Sequence, residues 1–235
     1  MSVSGALRWI KMAEGRRLDP TILREYDIRG VVPGTLGVDD VRIIGQVFGA
    51  MLLERGGKSV AVGYDGRLSS PELEAALVEG LAGAGADVTR IGLGPTPMLY
   101  FAHATLPTDA GLMLTGSHNP PEYNGIKLMI DGKPFFAEDI QILGQRAASG
   151  DFTEGKGVVT ERPVLADYVA RLLEDFTPAD KPLTVAWDAG NGAAGEAMKM
   201  LIAGLPGDHI VLNEVIDGTF PAHHPDPTVE KNLDQ

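Results

Sequence analysis

The chain has 235 residues, a formal net charge of −12 and no cysteine. That charge, with no Lys/Arg run to offset it, argues against a general nucleic-acid binder but allows an anionic small substrate held by a few local cations. The lack of cysteine excludes disulfides, thiolate-bound zinc and thiol catalysis. Met1–Arg17 has no signal-peptide-like apolar core and no run of about 18 apolar residues occurs anywhere, so no membrane partner is expected and a cytoplasmic location is the default.

Met1–Arg17 reads as an N-terminal extension, with Met12 as a possible internal start. Leu18–Leu36 is loop-like, punctuated by Pro20, Gly30, Pro33 and Gly34. It contains Arg24-Glu25-Tyr26-Asp27-Ile28-Arg29-Gly30, either a solvated turn or a segment that turns Arg29 toward an anion. Val38–Glu54 has helical spacing, with Val41, Ile44, Val47 and Phe48 on one face. A buried-type strand Ser59–Tyr64 leads into Asp65-Gly66-Arg67. Ser70 before Pro71 fits an N-cap, and a helix Glu72–Gly83 follows. Then come a strand Asp87–Ile91, a turn at Gly92–Pro97 and a helix Met98–Thr105. This β-α-β-α-β order predicts a parallel sheet covered by helices.

Ala110–Leu114 is a buried strand ending in Thr115-Gly116-Ser117-His118-Asn119-Pro120-Pro121-Glu122-Tyr123-Asn124-Gly125-Ile126-Lys127. A strand Ile126–Ile130, a turn and a helix Ala137–Ala148 complete a first domain, 18–150. Ser149–Val158 suits an interdomain connection. The second domain, 151–235, holds a helix Val164–Phe176, a strand Leu183–Trp187, the turn Asp188-Ala189-Gly190-Asn191-Gly192, a helix ending near Ala203 and a strand His209–Glu214. Strand, Asp, glycine turn, helix and strand recur here as they do from Val60 onward, one architectural unit used twice. Thr219–Pro227 is a Pro/His loop, and Thr228–Gln235 starts a helix that is not completed. The expected class is therefore α/β: two consecutive domains with mixed, mainly parallel sheets covered by helices, the second incomplete, as in the N-terminal part of a longer protein.

The loop after Leu114 is clamped by prolines and glycines, and it gathers a hydroxyl, an imidazole, an amide and an ammonium group. A hydrolase nucleophile elbow needs glycines two residues before and after the serine. Those positions hold Thr115 and Asn119, so that reading fails. A serine that carries phosphate fits better, because His, Lys, Asn and backbone N–H groups are the donors a phosphoserine requires. Asp65 and Arg67 are equally consistent with a structural ion pair and with direct contact. Asp188 and Asn191 read as turn residues, and His223 and His224, without a third ligand nearby, as loop packing.

The serine loop resembles that of the α-D-phosphohexomutase superfamily, in particular its phosphomannomutase/phosphoglucomutase group. Further matches in order are Tyr26-Asp27-Ile28-Arg29-Gly30, Gly63-Tyr64-Asp65-Gly66-Arg67, Pro95-Thr96-Pro97, Asp188-Ala189-Gly190-Asn191-Gly192 and Phe220-Pro221-Ala222-His223-His224-Pro225-Asp226-Pro227. The resemblance implies an enzyme that interconverts hexose 1-phosphate and hexose 6-phosphate, of mannose or glucose, through a phosphoserine and a hexose bisphosphate. It implies Ser117 as phosphoryl carrier and, through its phosphate, as ligand of a Mg²⁺. Arg29 and Lys127 would flank the transferred group, His118 and Asn119 would support the loop and face the substrate, and Tyr26 would line the sugar site. The family's Asp-Gly-Asp-x-Asp-Arg metal loop and its sugar-selecting loops are absent from this sequence, so the chain alone is expected to lack mutase activity. A phosphosugar-binding or scaffolding protein that retains the serine loop is the competing reading.

Overall fold

The structure is a computed structural model that describes residues 15–178 and 180–233. Most of the expected N-terminal extension, with Met12, and the last two residues of the expected final helix lie outside the described residues. Among the described residues no helix is long and apolar enough to cross a membrane.

The first unit is built on a seven-stranded sheet. In chain order its strands are β1 (Ile28–Val31), β2 (Ser59–Tyr64), β3 (Asp87–Leu93), β4 (Ala110–Leu114), β5 (Tyr123–Ile130), β6 (Lys133–Pro134) and β7 (Val159–Glu161). They lie in the order β1-β5-β4-β2-β3-β7, with β6 on β5. Parallel pairing joins β4, β2, β3 and β7, while β5 runs against β4, β1 and β6. The central strand β4 is buried along its whole length, as expected of a strand covered on both faces and apolar on both.

Helices α1 (Val38–Glu54), α2 (Ser70–Ala84) and α4 (Glu138–Ser149) cover one face through Ile44, Phe48, Leu77, Leu81 and Leu143. Helix α3 (Thr96–Thr105) covers the other with Met98 and Leu99. Helices α1 and α2 approach closely because small residues face each other. A Cβ at Gly80 would lie 2.0 Å from the Arg42 carbonyl oxygen, and one at Gly45 would lie 2.5 Å from that of Leu77.

In the first unit the structure departs from the sequence reading in three places. Leu18–Leu36 is not all loop: it holds a short 3-10 helix at Pro20–Ile22 and strand β1, whose Arg29 is buried in an ion pair with Asp27 just before the strand. Ser69, not Ser70, is the N-cap residue of α2, and its side chain makes no capping bond. The Ser70 hydroxyl instead donates to Asp65 Oδ1 at 2.6 Å. Past residue 150 the chain does not leave the first unit at once. Strand β7 adds to the first sheet, and helix α5 (Leu165–Glu174) packs on α3, with Tyr168 5.8 Å from Phe101, ring centre to ring centre.

The second unit is the expected βαβ: β8 (Thr184–Asp188), α6 (Gly195–Ile202) and β9 (Asp208–Leu212), its strands parallel. It is thinly covered. Leu183 is 63% exposed and Ile210 53%. At its end the expected start of a helix is a 3-10 turn, Glu230–Leu233.

Candidate active site

The site lies where β2 and β4 end, at the carboxyl edge of the parallel strands, where open α/β sheets place their ligands. After Leu114 the backbone is held turn by turn. Thr115 N donates to Gly125 O (2.9 Å), Gly116 N to Asp65 Oδ2 (3.1 Å), Ser117 N to Thr115 Oγ1 (2.9 Å) and Asn119 N to Gly116 O (3.1 Å). Ser117 has φ 53°, a left-handed conformation that a non-glycine residue keeps only when its surroundings impose it.

Arg67 does much of the imposing. It is 1% exposed, and its guanidinium donates to four main-chain oxygens of the loop: Ser117 O (3.0 Å), Asn119 O (2.7 Å), Pro120 O (2.6 Å) and Tyr123 O (3.0 Å). Burial pushes its pKa below the ordinary arginine value, an effect opposed by Asp65 at 3.3 Å. Gly116 leaves room for this arrangement, since a Cβ there would lie 2.2 Å from Arg67 Nε. Asp65 and Arg67 thus both hold the serine loop.

The cationic side is set by strand register. β5 pairs antiparallel with β1, Ile28 opposite Ile126 and Arg29 opposite Gly125, which brings Asp27, just before β1, beside Lys127. Asp27 is fully buried and accepts from the Arg29 guanidinium, which is 6% exposed. The Lys127 ammonium lies 3.8 Å from the same carboxylate and 6.0 Å from the centre of the Tyr26 ring. Two formal cations thus share one buried carboxylate beside Ser117, although the chain as a whole carries −12. Asp27 Oδ1 and Arg29 Nε are buried without a hydrogen-bond partner. Buried polar atoms of this kind call for an explanation, for which a ligand or water is the usual candidate.

Tyr26, Arg29, Ser117, His118, Asn119 and Lys127, the residues singled out in the sequence, line one cleft of about 380 Å³. His224 and Asp226 of the second unit line it too. The sequence reading gave Asp27 and Asp226 no role. Asp27 lies outside β1, in the bend just before it, so no strand periodicity marks it in the sequence.

An adjoining cleft of about 520 Å³ runs from Ser117 and Lys127 to Asp188, Phe220 and His223. Asn191 is 7% exposed and ties the second unit's turns together, donating from Nδ2 to Val215 O at 2.9 Å. His223 Nδ1 faces the His224 carbonyl at 3.0 Å, and Nε2 faces Asp188 Oδ2 at 2.8 Å. Both partners are acceptors, so only the doubly protonated ring satisfies both. The His224 carbonyl raises the His223 pKa above 6.5, burial opposes this, and Asp188 adds to the rise. Burial raises Asp188, but Asn213, the Gly190 N–H and His223 together bring it below 3.8.

The raised histidine stabilises fully below its unfolded value and loses that contribution as pH rises through its folded value. The lowered carboxylate contributes above its unfolded value and loses as pH falls through its folded value. The pair is therefore at full strength between about pH 4 and pH 6.5. Urea midpoints should fall as pH is raised from about 6 to 8. His223→Gln should flatten that slope, and an unchanged slope in the variant would refute the assignment.

These residues alone do not fit a Mg²⁺. Among the described residues no three His, Cys, Asp or Glu side chains converge on a point. The nearby carboxylates are already engaged, Asp65 by Gly116, Arg67 and Ser70, and Asp27 by Arg29 and Lys127. An octahedral cation requires several oxygen ligands.

Residues 20–154 match the family model described as phosphoglucomutase/phosphomannomutase, alpha/beta/alpha domain I. The phosphomannomutase/phosphoglucomutase of Pseudomonas aeruginosa PAO1 is 44% identical over 221 residues, 94% of this chain and 48% of that protein. The phosphoglucomutase of Neisseria meningitidis serogroup B is 41% identical over 214 residues, 90% of this chain and 46% of that protein. A crystal structure of a phosphoglucomutase/phosphomannomutase family protein from Burkholderia thailandensis superposes with TM-score 0.87 at 41% identity, over 92% of this chain and 49% of that one. The chain thus spans about half the length of the curated relatives it matches.

Proposed function

The chain belongs to the phosphoglucomutase/phosphomannomutase family, and from that premise we propose that it carries the phosphoserine half of a phosphohexomutase site. Ser117 is the phosphoryl carrier. A free hydroxyl of a hexose phosphate bonds to the phosphorus as the Ser117 Oγ–phosphorus bond breaks, and the hydroxyl proton is returned, in net, to the serine oxygen. The resulting hexose bisphosphate reorients and gives its other phosphate back to Ser117, leaving the isomeric monophosphate. Such transfers depend on alignment and charge neutralisation more than on covalent help.

Arg29 and Lys127 flank the transferred group and offset its charge, with Lys127 also placed to relay the proton. His118 and Asn119 face the substrate, and Tyr26 lines the sugar side. A divalent cation would take from this chain only the serine's phosphate and would need carboxylates from elsewhere. The division into a first domain carrying the serine, 18–150, and an incomplete second domain, 151–235, belongs to the same proposal, as does a cytoplasmic setting.

The observation that supports this reading best is the gathering of Tyr26, Arg29, His118, Asn119 and Lys127 around Ser117, which sits on a left-handed turn. Intact-mass measurement before and after phosphatase treatment tests it. A phosphate-sized loss that vanishes in Ser117→Ala is expected; no loss, or a loss that persists in the variant, overturns it. In a coupled mutase assay the 235-residue chain should show no appreciable turnover.

A further inference from the structure

The N–H groups at the end of the Arg67 guanidinium are taken up by loop carbonyls, and Asp65 lies beside Nε. Phe220, from the second unit, lies against this group, with Arg67 Cζ over its ring, 5.1 Å from the ring centre. An aromatic ring at that distance attracts a guanidinium through its quadrupole, most strongly where water is excluded.

Two further observations show that this contact is built. The backbones approach so closely that only glycine fits. A Cβ at Gly218 would lie 2.6 Å from Leu68 N and 2.9 Å from Arg67 Cα, and one at Gly66 would lie 2.3 Å from Ile216 Cγ2. Phe220 also has φ 50°, a left-handed conformation that is an outlier for a bulky residue. It is imposed from within the second unit: Phe220 N donates to Asp217 O (3.0 Å), Asp217 N to Asn191 O (3.0 Å), and the Thr219 hydroxyl to Asp217 Oδ1 (2.7 Å).

We propose that Phe220 is a positioning residue for the serine loop: through its ring's contact with the Arg67 cation, the second unit's 217–223 segment sets how firmly the Ser117 turn is held. The contact is indirect. Phe220 holds Arg67, Arg67 holds the carbonyls of Ser117 and Asn119, and a displacement of the second unit reaches the serine through a planar cation. The catalytic meaning of this coupling rests on Ser117 being the phosphoryl carrier, but the coupling itself does not, and it is measured independently of phosphate.

The test is amide hydrogen exchange, read by mass spectrometry, on the 235-residue chain and two variants. Phe220→Leu keeps apolar bulk and removes the ring; Phe220→Tyr keeps the ring. The amides of Gly116, Ser117 and Asn119, each hydrogen-bonded within the loop or to Asp65, should exchange roughly three- to thirtyfold faster in Phe220→Leu. They should remain at parental rates in Phe220→Tyr, with strands β2 and β4 unchanged in both. Parental loop rates in Phe220→Leu would overturn the proposal. So would equal acceleration in Phe220→Tyr, or acceleration of β2 and β4 together with the loop, which would mark a general loss of packing.

Discussion

Arg67→Met is expected to lower the unfolding free energy by about 3–5 kcal/mol, the usual cost of removing one member of a buried ion pair. Methionine fills much of the space, so the cost comes from what is stranded. Asp65, with a side chain 13% exposed, loses its cation, and the half-buried oxygens of Ser117, Asn119, Pro120 and Tyr123 lose their donors. Each abandoned buried acceptor costs about 1–3 kcal/mol where water cannot replace the donor. Arg67→Lys keeps the charge but not the planar fork and should recover only part of the loss. The exposed Arg171–Asp175 pair is the control, because breaking a solvent-screened surface pair has little effect on stability. Urea titration measures all three; a loss for Arg67→Met no larger than the control's would show that the loop stands without Arg67.

Asp27→Ala should cost a similar 3–5 kcal/mol, for the opposite reason: it leaves the Arg29 guanidinium, 6% exposed, without its anion and Lys127 beside it. A double-mutant cycle separates this from simple loss of packing. Removing both charges with Asp27→Ala and Arg29→Met should be less costly than Asp27→Ala alone, because a buried pair can often be replaced by apolar groups at little net cost, whereas an isolated buried charge cannot be tolerated. Additive losses would mean that the two residues act separately.

Much of the fold was legible because local chemistry and tertiary structure agree. The α1 and β2 boundaries, Val38–Glu54 and Ser59–Tyr64, fall where the apolar pattern puts them. β1 was hidden by the charges of Asp27 and Arg29, which look solvated in sequence and are in fact paired inside. β7 was hidden because three residues carry little periodicity, and their partner strand, β3, lies far back in the chain. The same contrast holds at the site. The serine loop declared itself as a contiguous run of donors. The work of Arg67 did not, since its acceptors are main-chain oxygens that leave no mark on residue identity. The Phe220 contact joins segments from different units and has no local signature.

The grip on main-chain oxygens has a further consequence, for how such a loop can diversify. Because Arg67 reads the path of the backbone and not the side chains attached to it, positions such as His118 and Glu122 are free to change without loosening the turn that presents Ser117. The frame and the groups it displays are separately inheritable. A lineage could vary the groups lining the cleft one substitution at a time while Ser117 stayed in place.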